Sequence, residues 1–408
     1  MQRPHRLRGR RKLVVLGLGA IGLAGALTLA AFAAPSHDAA AAPVYTPPGP
    51  SAVVARVPAR DPAEVSARRT LAAAPDRVEL AVELARADIR RYRTLSDPRF
   101  LGRAQATLAP WWSLAEPPAG VLLLRATIRQ SLHDFDAAKA DLDRAVANNP
   151  ADAQAHLTRA VVATVTADYP RARESCAAVA RLAGALVAAA CDAPLDAIAG
   201  KTDDAYARLT QVLAGARGTD AGVRGWARTA LAELALVRGD TDAAAVHLRA
   251  AIALDATDAY ARDLLADVLL STGRAGEASE LLAGLEVIDS HLVRRAIAEH
   301  QIHGPDEAKL VRAMRERIAA AAARGDRIHL REEARFALAV DRDAAAAVKL
   351  ARDNWAVQKE LADARLLVEA AAAARDPEAA GPVIKWAREN GLRDTQLERW
   401  ISQLEARR

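Results

Sequence analysis

His133–Pro150 reads HDFDAAKADLDRAVANNP. Two aspartates flank an aromatic residue, Ala, Leu and Val then recur every three or four residues, and a proline ends the run. Spacing of that kind predicts an amphipathic helix with a polar break before it and a stop after it. If the same break and helix return at a fixed interval, the aspartates are architectural features and not a carboxylate site.

The interval is there. With Ala138 as reference, small residues recur at Ala104, Ala172, Ala205, Ala244, Ala278, Ala308, Ala346 and Ala380, each after a short polar break such as ADYPRA, RGDTDA or RDPEAA. Twelve residues upstream stands a second small residue in five units: Ala126, Ala160, Ala193, Ala232 and Ala266. Two antiparallel helices that cross closely need small side chains at the crossing, so each unit reads as a helix pair. Asp134 and Asp136 then fall in the turn within a pair, where a carboxylate caps a helix N-terminus.

A unit of about 34 residues with small residues at positions 8, 20 and 27 and a closing proline resembles the tetratricopeptide repeat family. Residues 119–152, 225–258 and 259–292 match best, 153–186 well, and 186–219, 293–326, 327–360 and 361–394 more weakly; the consensus tryptophan at position 4 is missing throughout. The resemblance implies an all-α, right-handed solenoid of antiparallel helix pairs whose concave face is lined by the first helix of each pair. The expected segments are 63–118, an N-terminal helical pair; 119–292, the solenoid core; 293–394, degenerate repeats; and 395–408, a tail or capping helix.

The chain begins differently. Arg3, Arg6, Arg8, Arg10, Arg11 and Lys12 precede Leu13–Ala34, 22 residues without a charge. That is a basic n-region followed by an apolar segment. A small-x-small site at Ala31-Phe32-Ala33 points to a cleaved signal peptide, whereas the length points to a retained inner-membrane anchor through residues 13–34; both readings stand, and both export the chain beyond Ala34. Residues 35–62, rich in Pro and Ala, read as a linker. Gly17-x-Gly19-x-x-Gly22 fits a dinucleotide fingerprint, but no βαβ unit comes after it.

The 408 residues carry 56 Lys and Arg against 51 Asp and Glu, a net +5. Without the six N-terminal cations, 50 basic residues face 51 acidic ones in interspersed order. No dense basic stripe remains, so nucleic acid is not an expected partner.

No motif for a nucleophilic, phosphate-binding or metallohydrolase site occurs, and neither catalytic residues nor a cofactor is expected. Glu174-Ser175 invites comparison with cell-wall lytic transglycosylases, but the glycine-rich segment those enzymes carry downstream is absent. His300 and His303, with His291 nearby, lack a third strong ligand and read as solvated histidines, so no metal is expected. Trp111-Trp112 reads as core filler at a turn.

Family resemblance points a partner groove to positions 2, 5, 9, 12 and 13 of the first helices. In two adjacent units these are Trp226, Thr229, Glu233, Leu236 and Val237, then Tyr260, Asp263, Asp267, Leu270 and Ser271. The Lys, Arg and Asn that clamp a terminal carboxylate in one subclass are missing, so a basic or apolar protein or peptide segment is the expected partner; Trp226 and Tyr260 also suit plain packing between repeats. Cys176 and Cys191 lie on facing helices, nearly level across a turn near Ala183-Gly184. With export, they are expected to form a disulfide. The reading is an exported, non-catalytic scaffold of the periplasm or cell envelope, with an envelope enzyme as the alternative.

Overall fold

In the computed structural model of the protein, the residues described are 61–95, 97–325 and 329–406. They belong to one compact unit. The apolar segment 13–34 and the linker up to residue 60 lie outside them; among the described residues, no helix is long and apolar enough to cross a membrane.

The described residues form helices and no strands. Four come first: α1 (Pro62–Ala73), α2 (Val78–Leu95), α3 (Arg99–Thr107) and α4 (Ala109–Trp112). Eight pairs come next: α5 (Ala119–Ser131) with α6 (Phe135–Asn148), α7 (Ala153–Val165) with α8 (Tyr169–Leu182), α9 (Ala185–Ile198) with α10 (Thr202–Gly215), and α11 (Ala221–Val237) with α12 (Thr241–Leu254). The series continues with α13 (Ala259–Ser271) and α14 (Ala275–Leu282), α15 (Asp289–Ile302) and α16 (Glu307–Arg324), α17 (Leu330–Ala339) and α18 (Ala344–Val357), α19 (Leu361–Ala374) and α20 (Pro377–Asn390), and ends in a single helix, α21 (Thr395–Glu405). This is an all-α, tetratricopeptide-like array.

The pairs are punctuated by backbone chemistry. A residue with left-handed backbone closes the first helix of every pair: His133, Ala167, Gly200, Gly239, Gly273, His303, Arg342 and Arg375. After it, an aspartate often caps the second helix. Asp168, Asp240, Asp343 and Asp376 each accept a hydrogen bond from a backbone N–H in the first turn, satisfying a donor the helix leaves unpaired. Asp134 occupies the same position without making that bond, and Asp136, in the first turn, pairs with Lys139 at 3.0 Å. The position expected for the capping aspartate is therefore correct, but the cap bond is absent.

The expected crossings are buried. Ala126, Ala160, Ala193, Ala232 and Ala266 are at most 2% exposed, as are Ala138, Ala172, Ala205, Ala244, Ala278 and Ala380. Two weaker units depart from the pattern: Ala308 is exposed, and Ala346 yields the buried position to Ala347. In the first of these the reference register does not hold, and Leu310 and Met314 provide the buried face of α16 instead.

The array does not remain open. The largest hydrophobic core joins α9–α11 to α17–α21: Leu209, Leu231 and Leu234 share it with Leu367, Val383 and Leu397. The C-terminal repeats therefore turn back onto the middle of the array. Backbone and side-chain bonds mark the return. Lys359 N–H donates to Val165 O at 2.7 Å, and Trp386 Nε1 donates to the Tyr169 hydroxyl at 2.8 Å. At Gly200, φ is +72° and an added Cβ would lie 2.4 Å from Gly391 O, so only glycine satisfies both the turn and the contact.

Candidate functional site

Because α21 returns to α11, the inner helices α11, α13, α15, α17, α19 and α21 surround a common interior. The six groove residues named from sequence fall on α11 and α13, and the structure divides them. Thr229 is buried and donates its hydroxyl to Gly225 O within its own helix. Trp226 is partly buried and packs against two core clusters. Asp263 is buried with His291, whose Nδ1 lies 2.7 Å from it. Burial raises the Asp263 pKa, but Arg294 and His291 outweigh it and hold the carboxyl below its ordinary value. His291 is thus a buried hydrogen-bond partner of Asp263 and not the solvated histidine expected. Asp267 is held by Arg294, at 2.9 Å to each oxygen, and by Arg335 at 3.0 Å.

Glu233 and Tyr260 remain available. The Tyr260 hydroxyl donates to Glu233 Oε1 at 2.5 Å, joining α11 to α13, while 51% of Tyr260 stays exposed. Burial pushes the Tyr260 hydroxyl well above its ordinary value, the charges of Glu233 and Glu360 add to the rise, and Arg331 on the returning repeats opposes it. Burial pushes the Glu233 pKa up to about 7, Glu360 adds to the rise, and the Tyr260 bond and Arg365 oppose it. A carboxyl held there can keep a proton near neutrality or take a cation. Glu360 itself is tied to Arg331, which also holds Asp363 at 2.5 Å.

The other residues singled out by sequence serve the fold. Arg159 binds Ser175 at 2.8 Å and Glu174 at 2.6 Å. His300 Nδ1 lies 2.7 Å from Glu307 Oε1, and His303 is exposed in the left-handed turn. Among the described residues, no group of three or more His, Cys, Asp or Glu is arranged to hold a metal. Trp111 and Trp112 pack against the N-terminal core. Cys176 on α8 and Cys191 on α9 are disulfide-bonded, with Cα atoms 5.7 Å apart. Sequence reasoning missed Glu360, Arg331 and Arg365, because the return that brings them to Glu233 leaves no local signal.

No protein-family profile matches the sequence, and no curated protein does so significantly. Solved structures similar to the chain include PilW, a widely conserved type IV pilus biogenesis factor, at 14% identity and a TM-score of 0.38, covering 50% of this chain and 96% of that one. A tetratricopeptide repeat protein from Parabacteroides merdae is 14% identical with a TM-score of 0.35, covering 76% of this chain and 98% of that one. The human IFIT1 dimer with PPP-AAAA is 15% identical with a TM-score of 0.43, covering 76% and 72%.

Proposed function

We propose that the protein is a protein-interaction scaffold of the bacterial cell envelope, exported behind residues 1–34 and non-catalytic, which takes a protein or peptide segment at the interior face of α11 and α13. One observation carries the reading: Tyr260, a large aromatic on an inner helix, keeps half its surface open while its hydroxyl is bound to Glu233. Exposed aromatic anchors of this kind contribute strongly to binding. The acidic neighbour favours a partner segment with a basic side chain next to an apolar one. Thr229, Asp263, Asp267 and Trp226 support the wall behind them.

The test is a photoreactive phenylalanine analogue at position 260 in the producing cell. A discrete cross-linked protein supports the reading, and its absence from a stably expressed, folded variant rejects it. Export is checked separately: alkaline phosphatase fused after residue 60 is expected to be active.

A second reading has its own observation, the Glu233 pKa of about 7, which suits a general acid or base. The tyrosine bond occupies that carboxyl, and Glu360, whose charge acts on it, is paired with Arg331. With that carboxyl engaged by Tyr260, Glu233 serves in this reading as a binding contact.

A further inference from the structure

The interior holds a cavity of about 360 Å³, within the roughly 300–1,000 Å³ of small-molecule sites. Leu236, Leu264, Leu270, Ile297, Leu338 and Leu366 line it, so much of its wall is aliphatic. Tyr260 and Glu233 do not, which separates the cavity from the surface proposed for the partner.

Its polar groups are unevenly matched. Asp267, in the lining, accepts from Arg294 at 2.9 Å on each oxygen and from Arg335 Nη1 at 3.0 Å. Arg365 donates to Asp394 at 3.0 and 2.6 Å. The groups left over are donors. Arg335 Nε and Trp400 Nε1 are buried N–H groups without an acceptor among the described residues, and both side chains border the cavity. Among the described residues, Arg399 has no carboxylate partner; it is exposed, and its guanidinium carbon lies 5.1 Å from the centroid of the Trp400 ring. Glu369, the other carboxyl in the lining, is half-buried, and burial pushes it up towards the protonated form against the opposing cations of Arg335 and Arg399. A protonated carboxyl can donate as well.

Buried donors are normally paired, and an N–H without an acceptor costs free energy that a bound acceptor returns. A guanidinium beside an indole is a place for a carboxylate: the arginine supplies charge and paired hydrogen bonds, the indole one further donor. Arg399 and Trp400 are neighbours on α21, so this head site needs no second charged contact at a distance. The aliphatic lining asks for a hydrocarbon body, held through buried apolar area. A methylene takes up about as much room as a water, roughly 30 Å³, so 360 Å³ accommodates a chain of about ten carbons with its head.

We infer that this cavity binds a medium-chain fatty-acid anion, its carboxylate on Arg399 and Trp400 and its chain against the aliphatic lining.

Isothermal titration of the full chain with sodium decanoate tests it. The expected result is saturable one-to-one binding, tighter by roughly tenfold or more than that of decyltrimethylammonium, which keeps the chain and reverses the charge of the head. Acetate, a head without a chain, should give no saturable heat at the same concentrations. Arg399→Gln should weaken decanoate by roughly tenfold or more and leave decyltrimethylammonium unchanged. Trp400→Phe keeps a ring and removes the N–H, and should weaken decanoate alone by a smaller factor. Arg399 is exposed, so its replacement spares the core, and circular dichroism verifies the fold of both variants. Absence of saturable heat from decanoate with folded protein overturns the inference. So does equal binding of the two amphiphiles, acetate binding as tight as that of decanoate, or decanoate binding that either folded variant leaves intact.

Discussion

The Tyr169 hydroxyl accepts a 2.8 Å hydrogen bond from Trp386 Nε1, joining α8 to α20 across 217 residues of chain. In an open repeat array each unit touches only its neighbours, and unfolding can spread from either end. This bond ties the second repeat to the eighth. Burial pushes the Tyr169 hydroxyl up to about 12, so it stays protonated through the physiological range.

Tyr169→Phe removes the acceptor and leaves the Trp386 N–H, in a residue only 8% exposed, without a partner. The expected loss is about 1–3 kcal/mol. Urea unfolding provides the measurement, and hydrogen exchange adds a finer one: amides of α8 and α20 should lose protection together. Loss confined to α20 would mean that the return is not cooperative with the early repeats.

The turn glycine at the closure gives a contrast within one experiment. Gly200→Ala must strain a backbone at φ +72° and displace Gly391 O from 2.4 Å, so it should destabilise by more than about 1 kcal/mol. Arg375 has the equivalent backbone at φ +57°. Arg375→Gly should therefore be neutral or stabilising by up to about 1 kcal/mol. Thermal midpoints of the two variants moving in the same direction would contradict this account of the turns.

The pairs were legible from sequence because their signals are local: a polar break, a small residue at each crossing and a closing proline, all within one repeat. Cys176 and Cys191 were legible for the same reason, being nearly level across a single turn. The return of α17–α21 was not, because contacts such as Lys359 with Val165 join distant segments and impose no period on either. Groove positions taken from the repeat assume an open concave face, and here Thr229 and Asp263 are buried in packing and ion pairs. Ala308 shows the other limit: in an alanine-rich helix a small residue occurs at any register, and only the packing of Leu310 and Met314 identifies the buried face.

The disulfide should be a stability element. Replacing Cys176 and Cys191 with serine opens a closed loop of 15 residues and should cost up to about 3 kcal/mol. Mass spectrometry of protein purified from the producing cell under alkylating, non-reducing conditions should show no free thiol. Two alkylated cysteines in most molecules would refute the bond.

At the N-terminal end, the side-chain bond from Arg91, helped by Arg68, overcomes burial and holds the Glu64 carboxyl down to about 2, below an ordinary value of 4.5. A carboxyl depressed on folding stabilises the protein above its unfolded pKa and loses that contribution as pH falls towards the folded value. Packing of α1 on α2 and α3 should weaken between about pH 4.5 and 2, and Glu64→Gln should produce the weaker state at neutral pH. Limited proteolysis near Pro75 as a function of pH reads this directly.

Glu233 supplies the opposite sign. Its pKa is raised on folding, from 4.5 to about 7, so its charged form costs stability. The stability is full below the unfolded pKa and is lost as pH rises through about 7. Glu233→Gln retains a group that can accept the Tyr260 hydroxyl and carries no charge. It should leave the urea midpoint unchanged at about pH 4 and raise it at about pH 8. At the same time it should weaken capture of a basic partner segment on the alkaline side, where the native carboxylate is charged. Tyr260→Ala should weaken capture at both pH values and shift the thermal midpoint by only a few degrees, because half of the residue is already exposed. Trp226→Ala should do the reverse, destabilising strongly through the two cores it joins. If Tyr260→Ala unfolds the protein while capture by the remaining folded fraction is unchanged, the tyrosine is packing and the partner binds elsewhere.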